Sequence, residues 1–259
     1  MSEPDERRDA LSGEEIERYA RHIVLREVGG AGQRRLKASH VLVVGAGGLG
    51  SPALLYLAAA GVGTLRIVDD DRVSLSKLQR QIAHATASVG ERKVESARGA
   101  LAAINPHVVV EPVPDRVTDE NADALLDGVD LVVEGTDNFA SRTILADACE
   151  AAEVPLVTGA VGRFEGSITT LKPFGSDRDG KPLPRFHDLF PEPPTAGTAP
   201  ACAEAGILGA LTGIIGAMQA MEAIKELLGI GEGLAGRLLV YDGLRAEWRS
   251  FRYRRRSKD

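Results

Sequence analysis

Short, mostly apolar runs at residues 41–44, 65–68, 108–111 and 131–133 alternate with longer stretches in which apolar residues recur every three or four positions. Runs of that length, rich in Val, Ile and Leu, suit strands, and the four β-favouring residues at 41–44 suit an interior strand of a parallel sheet. The stretches between them predict helices over about residues 51–60, 91–104 and 119–126. A helix through Cys149 and strands at 155–158 and 167–171 follow. Residues 173–201, crowded with Pro, Gly and charge, read as a mobile crossover loop, and so long a stretch without secondary structure in a compact domain usually serves function. The chain resumes with an Ala- and Gly-rich helix over about 208–228, where Gly209, Gly213 and Gly216 leave room for a close neighbour. Two strands, 238–241 and 247–253, close the pattern. At the front, residues 1–12 are polar and read as disordered. Ser12, Gly13, Glu14 and Glu15 then form a capping-box pattern, and Ile16, Tyr19, Ala20, Ile23 and Val24 fall on one side of a helical arm. On pattern alone, Arg18, Arg21 and His22 read as that arm's solvated face. One domain over 13–253 and a basic tail at 254–259 complete the expected organisation.

The first strand runs directly into Gly45, Ala46, Gly47, Gly48, Leu49 and Gly50. Gly45, Gly47 and Gly50 permit a tight turn, close ligand approach and close helix packing, and the amides of the following helix face an anion. Ser51 is placed to cap that helix and Gly61 to close it. An acidic residue roughly twenty positions past such a turn usually holds a ribose, and Asp69 fits. Lys93 falls in the first turn of a later helix, where a cation opposes the dipole unless an anionic ligand offsets it, so it reads as ligand-facing. Gly135, Thr136, Asp137 and Asn138 lie at the carboxyl end of another strand, where such sheets bind ligands. The fold class is α/β: a Rossmann-like doubly wound, mainly parallel sheet with an N-terminal helical arm and C-terminal antiparallel strands. A glycine turn by itself says nucleotide and not which reaction.

Composition narrows the partners. The 259 residues are 44% hydrophobic and 26% charged, enough apolar material for one large domain. A net charge of −6 argues against a nucleic-acid binder and favours a small molecule or a small carrier protein. No charged-then-apolar leader opens the chain, and the longest apolar stretch, 207–224, contains Gln219 and Glu222 and is too short and polar to span a bilayer. A cytoplasmic protein with no membrane partner is therefore expected. With only two cysteines, Cys149 and Cys202, neither a disulfide framework nor a four-cysteine zinc site can be built. Cys202 reads either as a small buried hydrophobe or as a thiol activated at a helix start. Cys149, inside a helix, reads as structural.

Several motifs in order carry a family resemblance: Arg18-Tyr19-Ala20-Arg21, the glycine turn, Asp69 with Leu78-Gln79-Arg80-Gln81, Val89-Gly90-Glu91-Arg92-Lys93, Thr136-Asp137-Asn138 and Cys202-Ala203-Glu204-Ala205-Gly206. Over roughly residues 12–253 the chain resembles the MoeB/ThiF/HesA group of sulfur-carrier adenylyltransferases, bacterial relatives of the ubiquitin-activating enzymes. The resemblance implies ATP on Gly45, Gly47, Gly48 and Gly50, its ribose on Asp69, phosphate contacts from Arg80 and Lys93, and magnesium on Asp137. Arg21 is implied to reach across a homodimer interface into the other subunit's site. The implied reaction adenylates the C-terminal Gly-Gly carboxylate of a small ubiquitin-like sulfur-carrier protein and releases pyrophosphate. Thiocarboxylate formation follows, with sulfur from a separate desulfurase or sulfurtransferase. A cysteine at the position of Cys202 is implied to form a thioester or acyl-disulfide with the carrier in some members.

The residue types suit that chemistry. A C-terminal carboxylate is ionised at neutral pH, so no general base is needed, and the obstacle is anion meeting anion. Arg21, Arg80 and Lys93, with magnesium on Asp137, would neutralise the triphosphate, and losing one such contact should cost roughly a hundredfold or more.

Three departures from the family stand out. Many relatives hold zinc with two Cys-x-x-Cys pairs, whereas here the first pair aligns with Arg185-Phe186-His187-Asp188 and the second has no counterpart. No zinc site is expected, Arg185 and Asp188 are candidates to pair instead, and the segment should be more mobile than with metal. Lys77 stands where the family usually has asparagine near the phosphates, adding a cation to the cofactor-binding set. No C-terminal sulfurtransferase extension is read. The basic tail reads as a solvated end or, more sharply, as a landing site for an acidic carrier. Three alternatives stay open: a nicotinamide-dependent oxidoreductase on the same turn, the same activation of a small molecule, peptide or tRNA base, and a scaffold with a relic ATP fold.

Overall fold

The computed structural model describes residues 10–191 and 206–256. Strands β1 (His40–Val44), β2 (Thr64–Val68), β3 (Val109–Val113), β4 (Leu131–Glu134) and β5 (Leu156–Gly162) pair in parallel. Strands β6 (Glu165–Leu171), β7 (Arg237–Asp242) and β8 (Glu247–Arg252) continue the sheet antiparallel. The order is β3-β2-β1-β4-β5-β6-β7-β8, so the chain winds outward from β1 in both directions and the switch point lies between β1 and β4. Val41, Leu42 and Val43 are fully buried, as a central strand covered on both faces requires.

One face of the sheet packs on α4 (Gly50–Ala60), α5 (Lys93–Ile104) and α9 (Gly209–Leu228), through Val41, Val43, Leu54, Leu101 and Ile215. The other packs on α6 (Ala122–Leu126), α7 (Phe139–Ala151) and α8 (Phe186–Leu189), through Leu42, Val132, Leu145 and Phe186. Helix α4 is apolar nearly all round because it lies between the sheet and α9. A β-carbon at Gly216 would run into the Leu49 carbonyl and the Pro52 ring, so α9 crosses α4 at near backbone contact. Gly209 likewise meets the Gln79 carbonyl, but Gly213 faces open space, which corrects one of the three expected close approaches.

The arm forms α1 (Gly13–Arg18) and α2 (Ala20–Ile23), with the Ser12–Glu15 capping box in place. It breaks at Tyr19, whose buried hydroxyl accepts a hydrogen bond from Asn105 Nδ2 at 2.7 Å. The expected apolar side divides: Tyr19 is buried while Ile16 and Val24 are exposed. Arg18 is more than a solvated cation, since it donates to the Ile104 carbonyl at 2.9 Å. The glycine-rich sequence of α3 (Gly29–Ala38) gives little helix signal, and the helix is held by buried Leu36 and by Gln33, which donates to the Ala60 carbonyl. Ser51 does not cap α4; Leu49 is the N-cap, and Ser51 lies inside the first turn, its hydroxyl 3.4 Å from the Ala46 carbonyl.

The structureless reading of 173–201 is corrected for its first part. Asp177 Oδ1 accepts from the amides of Asp179 and Lys181, a side-chain-stabilised turn, and α8 follows. Residues 192–201 and 1–9 lie outside the described residues. Among the described residues, no helix is long and apolar enough to cross a membrane.

Candidate active site at the carboxyl ends of the parallel strands

The residues that follow β1, β2 and β4 meet in a cavity of about 1510 Å³. Ligand pockets commonly span ~300–1,000 Å³, so this one has room for a nucleotide and an extended chain end together. It runs from the glycine turn and Asp69 to the tip of the β5–β6 hairpin at Arg163 and Phe164. Gly45 has φ +92°, a conformation that disfavours any side chain, and a β-carbon at Gly50 would collide with the Gly45 carbonyl. The turn therefore closes on itself along the cavity wall, with the Gly45 amide on the Val68 carbonyl and the Ala46 amide on Asp69.

Asp69 is nearly buried and already well engaged. Its Oδ2 accepts from the Ala46 amide at 2.8 Å and lies 3.3 Å from Lys93 Nζ, and its Oδ1 accepts from the Asp71 amide at 2.9 Å. A carboxylate has about four acceptor positions, so capacity for one further partner remains. The anions that offset Lys93 belong to the chain itself: buried Lys93 donates to Asp71 Oδ2 at 2.8 Å as well as meeting Asp69. Lys77 donates to the same Asp71 oxygen at 2.7 Å. Burial opposes ionisation of Asp71, but hydrogen bonds from Lys77 and Lys93 and their charges prevail and lower its pKa to about 2. Arg80 lines the cavity, its backbone carbonyl near the Thr212 hydroxyl. Buried His84 meets the Ala46 carbonyl through Nε2 at 2.9 Å and Ser96 through Nδ1 at 3.0 Å, which props the turn from behind. Burial lowers its pKa, which favours the neutral ring.

Asp137 is exposed on the cavity wall. It sits in the loop from β4 to α7, where Asn138 caps the helix by accepting from the Ser141 amide at 2.8 Å. Beneath the loop lies a pair the sequence reading missed. Glu134, fully buried, accepts from the Thr136 amide at 2.6 Å and from the hydroxyls of Thr136 and Thr158 at 2.5 Å. Its Oε2 is 3.1 Å from Arg142 Nε, and the guanidinium also donates to the carbonyls of Thr136 and Gly159, each at 3.0 Å. A charge ending the apolar run of β4 was the available signal, but its partner across the loop was not legible.

Gly45, Gly47, Gly48, Asp69, Lys77, Arg80, Lys93 and Asp137 thus line one cavity, with Gly50 shaping its floor. Arg21 does not line it and lies exposed on α2. Cys202 lies outside the described residues. Cys149 is buried, and burial pushes its thiol pKa up, which leaves it inert.

At the segment aligned with the family's zinc cysteines, the expected Arg185–Asp188 ion pair is replaced by other contacts. Arg185 Nε pairs with Glu150 of α7 at 2.6 Å, and Arg255 approaches the same carboxylate at 3.7 Å. Asp188 accepts from the backbone amides of Arg185 and Arg256 at 2.7 and 3.0 Å. The start of the basic tail is therefore anchored to α7 and α8 and is not simply a solvated end.

Comparison with known proteins agrees with this geometry. The ThiF family model matches residues 19–259. The chain is 49% identical over 245 residues to the SAMP-activating enzyme E1 of Haloferax volcanii, covering 95% of this chain and 88% of that protein. It is 47% identical over 242 residues to the sulfur carrier protein adenylyltransferase of Thermus thermophilus, covering 93% and 89%. Against the probable adenylyltransferase/sulfurtransferase MoeZ of Mycobacterium tuberculosis it is 48% identical over 246 residues, covering 95% of this chain but only 62% of that longer protein. Among solved structures, PaaA superposes with a TM-score of 0.77 at 25% identity, covering 94% of this chain and 75% of that one. Escherichia coli MccB with ATP superposes with a TM-score of 0.75 at 19% identity, covering 97% and 74%, which shows the fold alone.

Proposed function

The chain belongs to the ThiF family, and on that premise we infer that it is an adenylyltransferase that uses ATP to activate the C-terminal carboxylate of a ubiquitin-like sulfur-carrier protein. The observation that carries this reading is the convergence of the glycine turn, the cations Lys77, Arg80 and Lys93 and the exposed carboxylate of Asp137 in a single cavity. A hydride-transfer site has no need of that cation set. In the proposed step a carboxylate oxygen of the carrier attacks the α-phosphorus, the bond between the α-phosphorus and the bridging oxygen breaks, and pyrophosphate leaves with the electron pair. The nucleophile is already ionised, so the site's task is to hold two anions in line and neutralise them.

Lys93 enters that task prepaired with Asp69 and Asp71, which holds its ammonium fixed in a buried setting. Lys77, more exposed and among the described residues tied only to Asp71, can turn toward a phosphate while Lys93 stays paired with that carboxylate. The donor set also fits magnesium. Asp137 offers hard oxygen atoms on the cavity wall, and among the described residues it has no competing side-chain partner and no group of three potential ligands forms a closed cage. Magnesium commonly takes one or two carboxylates and completes its shell with phosphate and water. When bound it would supply charge neutralisation to the leaving phosphates.

Residues 13–253 act in this reading as one catalytic unit, working as a homodimer in the cytoplasm, where ATP is available. Arg21 serves the partner's site; its absence from its own cavity and the exposed Ile16, Val24 and Leu25 beside it support that assignment. The carrier end enters past Arg163 and Phe164, and sulfur comes from a separate donor. The test is carrier-stimulated ATP–pyrophosphate exchange with Gly-Gly-ended proteins of the source organism. Stimulation by one carrier, abolished by Asp137→Ala, is expected. Exchange with none of them, but with a peptide or small carboxylic acid, would overturn the carrier assignment.

A further inference from the structure

We propose that the buried Glu134–Arg142 pair is a positioning device that sets the place of Asp137 and, through it, the strength of magnesium binding at the nucleotide. The inference rests on reading Asp137 as the magnesium ligand. Asp137 makes no side-chain hydrogen bond or ion pair among the described residues, and it stands in a connection between β4 and α7. A functional carboxylate has to be held within about 0.5 Å of its productive place, so something else must fix this loop.

The fixing contacts converge on the residues either side of Asp137. Thr136 is bound three ways: its amide and hydroxyl donate to Glu134 Oε1 at 2.6 and 2.5 Å, and its carbonyl accepts from Arg142 at 3.0 Å. Asn138 is held as the N-cap of α7, the helix that carries Arg142 one turn further on. Glu134 is itself anchored to three elements. Thr158 of β5 donates to its Oε2 at 2.5 Å, Arg142 of α7 lies 3.1 Å from the same oxygen, and Gln219 of α9 donates to its backbone carbonyl at 2.6 Å. Arg142 also bonds the Gly159 carbonyl, linking the loop to the β5 end of the cavity.

The energetics favour a geometric role. A buried ion pair is commonly matched or exceeded in stability by apolar residues of the same size, because both charges lose their hydration. This one has side chains 13% and 0% exposed and lies directly under the single loop that bears Asp137. Apolar packing would fill the space but would leave the Thr136 amide without its acceptor and its hydroxyl with only the long 3.5 Å contact to the Asn138 carbonyl, so that the loop is free to shift.

The experiment measures ATP affinity of the whole protein by calorimetry with and without magnesium, and takes the ratio. Wild type should show a magnesium-dependent gain that Asp137→Ala removes. Glu134→Gln, and separately Thr136→Ala, which leaves the core intact should the first variant fold poorly, are expected to reduce the gain by about 10–100-fold while metal-free affinity stays within about twofold of wild type. In the Asp137→Ala background neither change should have a further effect on the ratio. A full gain in both variants, or an equal loss in the Asp137→Ala background, would overturn the positioning role alone. An unchanged gain in Asp137→Ala itself would overturn the reading of Asp137 and the inference with it.

Discussion

Lys77 and Lys93 share one oxygen of Asp71, and that arrangement makes a pH signature. A carboxyl lowered to about 2 in the folded state, against about 3.9 unfolded, contributes stability above pH 4 that is lost as pH falls toward 2. Asp71→Asn should therefore flatten the acid limb of a denaturant-unfolding profile between those values. His84 acts at milder pH. Burial lowers its folded pKa, so below its unfolded value near 6.5 the unfolded state binds the extra proton and stability declines with pH. His84→Gln, which keeps a donor for the Ala46 carbonyl, should remove that share of the slope below about pH 6.5, and His40, also lowered by burial, adds a share of its own. These effects escape sequence reading because Asp71 was one of three adjacent aspartates and His84 one polar residue in a loop. Only the fold shows which of them meets a lysine or a carbonyl.

At the level of elements, the crossing of α9 over α4 connects packing to the glycine turn, because Leu49 belongs to both. Gly216→Val would press on the Leu49 carbonyl and Pro52. The expected cost is about 1–3 kcal/mol of unfolding free energy, as in other overpacked cores, together with weaker ATP binding. A stability loss without any change in ATP affinity would separate the two helices' packing from the turn. The Glu150 contacts with Arg185 and Arg255 hold the segment that the sequence resemblance aligns with zinc cysteines, and they are partly exposed. Glu150→Ala should therefore cost no more than about 1 kcal/mol, read as a small shift of the denaturation midpoint.

For the whole molecule, the proposal to test is that one chain does not complete the site. Arg21 is exposed and does not line the cavity that holds its proposed co-workers. If each site of a symmetric dimer borrows the partner's Arg21, mixing inactive Arg21→Ala with inactive Asp137→Ala should restore roughly a quarter of wild-type exchange activity. Half the dimers would be mixed, each with one working site. No recovery after demonstrated subunit exchange would place Arg21 outside the reaction.

Local pattern was enough for much of this protein. The glycine turn, the buried parallel strands, the Ser12 capping box and the helix carrying Lys93 are legible because each depends on backbone geometry or periodicity within a few residues. The gathering of Gly45, Asp69, Arg80 and Asp137 was legible too, since strands of a doubly wound sheet deliver their carboxyl ends to one edge. What only the tertiary structure decided were the pairings between distant residues. Glu134 with Arg142 and Thr158, Asp71 with two lysines, Arg185 with Glu150, and the helix at residues 29–38 all depend on which surfaces meet. A buried charge carries no local periodicity, and its partner is set by packing, so the sequence marks such residues as polar while the fold gives them their roles.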